Sequence, residues 1–424
     1  MSKKIRSAAR TALTRSLIAL AALSVFPAMA QDDGTEDPFN REVTVDLRCS
    51  FRKYAGPTDR MIPQVASSYV VADLPVRGHW YLGSWKHTNS IFYTWQRPAE
   101  LRDACERALR KANRSDALTG FTVGQWGGNH YELWYNGVMN IEAPLERIVA
   151  FGDSLSDTGN ALLQSTTSYG APLPSPNSWF SGRFSNGPVW TEYLSTRTGL
   201  PLNTWAVGGA EASDAQFGLI SGVDSQVESF LSYMRSAKNY DPSRTLFTLM
   251  IGANDITNRA NDDTRTVVYN TLQTVFVSLK KLTAKGARHF VLANLPDISR
   301  TPYYLDTPDA EAIQAKVRLM NEHLSQLARR LREDTGAHVV IVDVATQFDR
   351  LIDQPAMFGM KNATETCLDI GKNSLAYTMR HVTRATCDPA TAVFWDQMHP
   401  TTRVHELMAD WTLDALPAEW GLKN

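Results

Sequence analysis

Beyond Arg147 the chain alternates between short apolar runs and longer stretches in which apolar residues return every three or four positions. The runs are RIVAF (147–151), NTWAV (203–207), TLFTLMI (245–251), RHFVLANL (288–295) and HVVIVDV (338–344). Each has the length of a strand buried on both faces. Between them, Val268, Leu272, Val275, Phe276, Leu279 and Leu282 keep helical spacing, as do Ile313, Val317, Met320, Leu324, Leu327 and Leu331. Strand and helix in alternation predict right-handed crossovers and a parallel sheet covered on both sides, an α/β fold. In such sheets reactive groups gather beyond the carboxyl ends of the strands.

Residues 41–145 have another texture. HWYLGSWKHTNSIFYTW (79–95) and FTVGQWGGNHYELWYNG (121–137) are short alternating runs broken by Gly and Asn, which read as strands and hairpins. RPAELRDACERALRKA (97–112) reads as one helix. The expectation is a small, aromatic-rich α+β domain over 41–145, followed by a larger domain over 146–424. Core and interdomain packing is the favoured role for its Trp and Tyr residues; a membrane-facing patch is the alternative, since these rings join an apolar body to a polar tip. The first 30 residues place Lys3, Lys4, Arg6, Arg10 and Arg15 before SLIALAALSVF and AMA, the order of a secretory signal cleaved after Ala30. The expected location is therefore secreted or periplasmic.

Charge narrows the partners. The chain holds 43 Lys+Arg and 44 Asp+Glu, and loss of the signal would remove five basic residues and no acidic one, leaving a mildly acidic protein. No basic stripe or nucleic-acid motif is present, so nucleic acid is not an expected partner. Transient contact with a membrane surface would rest on aromatic residues. Four cysteines in an oxidising compartment suggest two bridges with three possible pairings. Cys49 with Cys105 and Cys367 with Cys387 is favoured because each pair lies within one sequence region. No C-x-x-C spacing supports a zinc site, and HELMA at His405 lacks the second histidine of a zincin, so His405 is expected on a helix surface.

Polar residues follow the predicted strands. VAFGDSLSDTGN (149–160) carries Ser154, AVGGA (206–210) carries Gly208 and Gly209, and IGANDI (251–256) carries Asn254. Near the C-terminus, FWDQMHPTTRVHELMADW (394–411) carries Asp396 and His399 ahead of a helix anchored by Val404, Leu407, Met408, Trp411 and Ala415. A serine hydroxyl needs a base within hydrogen-bond reach and a group that orients the base. Asp396 would hold His399 Nδ1–H and leave Nε2 to take the proton from Ser154. The oxyanion formed on attack needs donors fixed in advance, here Ser154 N–H, Gly208 N–H and the Asn254 amide, with Gly208 preferred to Gly209. Asp153, Asp157 and Asn160 are expected to hold the turn by side-chain to backbone bonds. Ser156 stands where G-x-S-x-G would have its last glycine, so an α/β-hydrolase elbow is not indicated. Neither metal nor organic cofactor is required.

FGDSLSDTGN, AVGGA, GANDI and DQMHP together resemble blocks I, II, III and V of the GDSL or SGNH hydrolases. GRFSNGPVWTEYL and NLPDISRTP resemble stretches of that family's bacterial lipase branch. The resemblance spans about Arg147 to Leu416. It implies a flavodoxin-like three-layer α/β/α fold and esterase or acyltransfer chemistry, with Ser154, Asp396, His399, Gly208 and Asn254 in the roles above. An aromatic-rich segment ahead of block I resembles the thermolabile hemolysin type of bacterial phospholipase A, related to glycerophospholipid:cholesterol acyltransferases. That branch implies an acyl-ester lipid as substrate, phospholipid above all, with cholesterol as a candidate acyl acceptor. A short-chain carboxylesterase or carbohydrate deacetylase is the alternative enzyme, and a non-enzymatic membrane-active toxin or carbohydrate-binding protein the alternative class. Leu162–Phe180 and Gln354–Cys367 are candidate walls of an acyl channel. A bridge from Cys367 to Cys387 would fix the loop that delivers Asp396 and His399.

Overall fold

The computed structural model describes residues 42–51, 69–82, 90–114, 118–124, 132–136, 144–169, 172–215, 220–235, 237, 240–372 and 374–422. The expected signal segment lies outside them.

The N-terminal part is a sheet of six strands with one helix: β1 (Val43–Phe51), β2 (Tyr69–Val71), β3 (Val76–Leu82), β4 (Ser90–Thr94), α1 (Pro98–Lys111), β5 (Leu118–Gly124) and β6 (Glu132–Tyr135). β1 pairs antiparallel with β3 through Val43–Val45, then with β2 and β5 along its second half; β4 lies antiparallel to β3 and parallel to β6. Alternation along each strand sorts the two faces. Val45, Leu47 and Cys49 of β1, Phe92 of β4, and Leu133 and Tyr135 of β6 close a core with Leu101, Ala104, Cys105 and Ala108 of α1. Cys49 and Cys105 are bonded to each other across that core. The opposite face turns Ile91, Tyr93 and Trp134 into a second core, shared with Phe151, Trp205 and Phe230. The described aromatics of this region therefore serve mainly as packing, although Trp95 remains 46% exposed.

After Pro144 the parallel sheet begins: β7 (Arg147–Gly152), β8 (Leu202–Thr204), β9 (Thr245–Met250), β10 (His289–Ala293) and β11 (His338–Val342), in spatial order β8-β7-β9-β10-β11. Counted from β7 this is the 2-1-3-4-5 order of flavodoxin-like folds, in which the strand order reverses between the first strand and the third. All five predicted strands are present. The second is shorter than NTWAV implies: only Leu202–Thr204 form the ladder, after which Trp205 N–H and Val207 N–H still donate to Ala150 and Gly152 carbonyls at 2.8 and 3.1 Å.

The helices are α2 (Asn160–Tyr169), α3 (Trp190–Thr198), α4 (Val223–Met234), α5 (Ala253–Asn258), α6 (Thr264–Ala284), α7 (Ala310–Thr335), α8 (Val344–Asp353) and α9 (Thr402–Ala415). Val149, Phe151, Phe247, Leu249, Phe290 and Leu292 point to α4, α6 and the second half of α7. Ile148, Leu246, Met250, Val291 and Ala293 point to α3, α8, α9 and the first half of α7. Asp263 caps α6 by accepting Thr266 N–H at 2.8 Å. A short parallel pair, β12 (Asn362–Thr366) with β13 (Ala392–Phe394), leads into the last helix, and Cys367 and Cys387 form the second bond.

α9 differs from its predicted face. Val404, His405, Met408, Ala409 and Thr412 are buried, Leu407 and Trp411 are partly covered, and Ala415 is exposed. His405, expected at the surface, has no exposure at all, and its Nδ1 accepts the Trp190 N–H at 3.3 Å. Burial first, then repulsion from His399, pushes its pKa down to about 3, so the ring is neutral.

Candidate active site

β7 ends where β9 crowds it. A Cβ on Gly152 would stand 2.5 Å from the Met250 carbonyl oxygen, and its φ of +145° lies outside the range L side chains favour. The chain then turns sharply, with Ser156 and Asp157 N–H both donating to the Asp153 carbonyl at 3.0 Å. Asp157 holds the turn from inside: Oδ1 accepts Gly159 and Asn160 N–H at 2.7 and 2.6 Å, and Oδ2 accepts Ala161 N–H at 3.0 Å. Asn160 Nδ2 reaches across to the Thr204 and Ala206 carbonyls. Asp153 Oδ1 accepts Leu155 N–H at 3.1 Å, and burial pushes that carboxyl up to about 7. The half-buried corner of this turn carries Ser154.

Asp396 and His399 arrive on the tight loop between β13 and α9. Trp395 N–H donates to the His399 carbonyl at 2.9 Å, and Asp396 Oδ1 accepts both Met398 and His399 N–H at 2.9 Å. The loop thus folds on its own carboxylate, as a spacing of three residues permits. His399 Nδ1 lies 2.8 Å from Asp396 Oδ1 and 3.0 Å from Oδ2, and His399 Nε2 lies 2.8 Å from Ser154 Oγ. Serine and histidine are 245 residues apart in sequence. Asp396 is fully buried; burial, the largest influence, would raise its pKa, but the His399 charge and the hydrogen bonds it accepts together hold it below the ordinary value. An ionised carboxylate, an imidazole and a hydroxyl in this order can move a proton from the hydroxyl to Nε2.

The expected oxyanion donors divide. Asn254, at the start of α5 directly beyond β9, donates through Nδ2 to the Ala210 carbonyl at 2.9 Å, which orients the amide and leaves its second hydrogen. Ser154 N–H has no hydrogen-bond partner among the described residues. The Gly208 N–H does not point to the site: it donates to Asp157 Oδ2 at 2.7 Å and is used up in tying the two loops together. Gly209, at φ +85°, is the neighbouring amide without a partner among the described residues. The N–H of Gly208, the expected donor, is therefore already committed to a buried carboxylate, and the amide of this pair without a partner among the described residues is that of Gly209.

Three aromatic side chains complete the surroundings of His399, and none is legible from strand or helix periodicity. Trp179 Nε1 donates to Asp396 Oδ2 at 2.8 Å, and the Tyr377 hydroxyl donates to Asp396 Oδ1 at 3.0 Å. The Phe184 ring lies 5.0 Å from the imidazole centroid. They sit on irregular segments, where only the proximity of an aromatic to a block motif would have singled them out. Among the described residues, no group of three or more His, Cys, Asp or Glu is placed to hold a metal ion.

A parallel sheet in this order, with a Ser–His–Asp relay over its switch point, defines a hydrolase of the acyl-transferring kind. Residues 148–412 match the family described as GDSL-like lipase/acylhydrolase, and the chain belongs to that family. It is 37% identical over 346 residues to the thermolabile hemolysin of Vibrio parahaemolyticus, covering 80% of each chain. It is 29% identical to the phosphatidylcholine-sterol acyltransferase of Aeromonas hydrophila, covering 62% of this chain and 88% of that one. It is 28% identical to an acetylesterase of Thermothelomyces thermophilus, over 63% of this chain and 87% of that one.

Proposed function

We propose that this GDSL acylhydrolase is a secreted serine esterase that cleaves acyl esters of phospholipids through an acyl-Ser154 intermediate. The observation that carries the mechanism is the relay Ser154 Oγ to His399 Nε2 at 2.8 Å and His399 Nδ1 to Asp396 at 2.8 Å. His399 takes the Ser154 proton as Oγ attacks the acyl carbonyl, and Asp396 orients the ring and offsets the charge it gains. Ser154 N–H, Gly209 N–H and the Asn254 amide receive the oxyanion. His399 then gives the proton to the departing alcohol oxygen, and the acyl-enzyme is released by water acting through the same base. Lipid as substrate class is supported by the names of the hemolysin and acyltransferase relatives. Two disulfides suit an oxidising compartment. With a sterol hydroxyl in place of water, the same acyl-enzyme would yield a sterol ester.

Phosphatidylcholine vesicles with and without cholesterol, p-nitrophenyl butyrate and acetylated sugars form the test panel, with products identified by mass. The expected outcome is free fatty acid from the vesicles, reduced by a factor on the order of 10^4 in Ser154→Ala. A folded Ser154→Ala protein that cleaves lipid at the wild-type rate overturns the mechanism. Activity confined to acetyl groups overturns the lipid assignment and favours the short-chain esterase, and sterol ester formation decides the acceptor.

A further inference from the structure

The Asp396 carboxylate is held by two kinds of donor. Met398 N–H, His399 N–H and His399 Nδ1 belong to its own loop. Trp179 Nε1 and the Tyr377 hydroxyl come from elsewhere and, among the described residues, are the donors that tie this carboxylate to other segments. The two rings stack on each other, centroids 5.1 Å apart and planes 27° from parallel. Tyr377 also stands edge-on to the His399 ring at 5.6 Å and 88°, and its hydroxyl lies 3.5 Å from Nδ1. Phe184 touches both, 5.0 Å from His399 and 6.0 Å from Tyr377. Burial first, then the Asp396 charge, pushes the Tyr377 hydroxyl far above its ordinary pKa, so it stays protonated and donates.

Tyr377 has no long element to stand on. It lies on a 3-10 turn, Ser374–Thr378, inside the segment closed by the Cys367–Cys387 bond. Contacts within the segment and to the Trp179 and Trp395 segments fix it, with Cys367, Leu368, Ile370 and Ala376 buried in one cluster with Trp179 and Trp395. Arg384 N–H donates to the Cys367 carbonyl at 2.7 Å, Asp369 N–H to the Val382 carbonyl at 2.9 Å, and Ser175 N–H to the Tyr377 carbonyl at 2.8 Å. His381 braces it against the Trp179 segment: its N–H donates to Ser178 Oγ at 2.6 Å, and its ring meets Trp179 edge-on at 5.9 Å. At its root, Cys367 N–H and Leu368 N–H donate to the Phe394 and Trp395 carbonyls, immediately before Asp396.

We propose that Tyr377 is a positioning residue for the Asp396–His399 pair, and that the Cys367–Cys387 bond works as its mount, holding the hydroxyl over the carboxylate. The proposal rests on the relay reading above. Attack by Ser154 requires the imidazole within a few tenths of an ångström of its place, and the carboxylate that sets the imidazole is itself set by this hydroxyl. The bond, once in place, would thereby order the site as well as stabilise the loop.

The experiment compares steady-state kinetics on p-nitrophenyl butyrate, a soluble ester that removes membrane contact from the readout. Tyr377→Phe keeps the ring, its stack on Trp179 and its edge on His399, and removes only the hydroxyl. The expected result is about a tenfold fall in kcat with KM within twofold of wild type. Cys367→Ser/Cys387→Ser in the wild-type background is expected to lower kcat to a similar extent. In the Tyr377→Phe background it is expected to add less than twofold, because both changes act through one hydroxyl. Unchanged kcat in Tyr377→Phe overturns the proposal, as do fully multiplied effects of the two changes. Asp396→Asn separates the two levels: if it retains wild-type kcat the relay reading itself fails, whereas if it is inactive and Tyr377→Phe is unaffected only this proposal fails. Thermal unfolding of each variant, with the Trp179→Phe protein as a second probe of the same carboxylate, keeps the comparison decisive if the bridge variant folds poorly.

Discussion

The two larger sheets among the described residues use similar residues to opposite ends. In the N-terminal sheet most neighbours run antiparallel, so the strand ends are divided between its two edges, β1, β4 and β6 running one way and β2, β3 and β5 the other. Its large aromatics Tyr93, Trp134 and Tyr135 are buried as packing. In the parallel sheet every strand finishes at the same edge, and the reversal of order between β7 and β9 opens a crevice there. Ser154 leaves β7 and Asn254 leaves β9 at that crevice. Convergence of strand ends, more than residue type, separates the region that packs from the region that can react.

The separation is incomplete, because the N-terminal sheet reaches into its neighbour, most notably through Trp134 and Glu132. Trp134 lies against Trp205, Phe230 and Tyr240, with the Arg147 guanidinium 4.2 Å above its ring. Glu132 of β6 accepts the Thr158 hydroxyl at 2.8 Å, on the turn that carries Ser154, and the Thr204 N–H at 2.9 Å. Trp134→Ala should therefore cost about 3–5 kcal/mol of stability through the cavity it leaves, while kcat in the folded fraction stays near wild type. Urea unfolding monitored together with esterase rate checks this. A loss under about 1 kcal/mol would show that the parallel-sheet core does not depend on the N-terminal wall.

Asn254→Ala should give the converse pattern. Turnover is expected to fall about a hundredfold, near 2.7 kcal/mol of transition-state stabilisation, with stability changed by less than that. Equal losses in kcat and in unfolding free energy would mean that the residue acts through the Ala210 carbonyl rather than on substrate.

The smallest effect concerns the contact between the regions. Burial, opposed by the Thr204 and Thr158 hydrogen bonds and the Arg183 charge, raises the Glu132 pKa to about 7 from an ordinary 4.5. The folded chain keeps a proton there that the unfolded chain releases between those values. Its contribution to stability is complete below about pH 4.5 and is lost as pH rises through about 7. Glu132→Gln should remove that dependence, so that its stability relative to wild type improves by on the order of 1 kcal/mol between pH 5 and pH 8. Asp153 and Asp255, raised by burial to about 7 and about 6, are common to both proteins and cancel in the difference. Parallel stability curves for the two proteins would place this carboxyl in water.

Much of the fold is legible from local pattern. A strand buried on both faces needs a continuous apolar run and an amphipathic helix needs a 3.6-residue repeat, so five strands and the long helices α6 and α7 announce themselves within short windows of sequence. Ser154, Asp396 and His399 are legible for a related reason. Asp396 and His399 lie three residues apart and form their contact within one loop, while Ser154 follows the first parallel strand directly.

Other features depend on partners far away in the chain. Gly208 reads as an oxyanion donor until Asp157, 51 residues earlier, is found to accept its N–H. His405 reads as a surface residue until α3 is packed over it and Trp190 N–H meets its ring. Trp179 and Tyr377 lie on irregular segments with no repeat to mark them, and only the folded loops bring both to Asp396. Sequence alone determined which groups exist and which elements carry them, because propensity and periodicity act over a few residues. Tertiary structure decided which N–H, ring or carboxylate each group spends its hydrogen bonds on, because a buried polar atom takes whichever partner the packing presents, however distant in the chain.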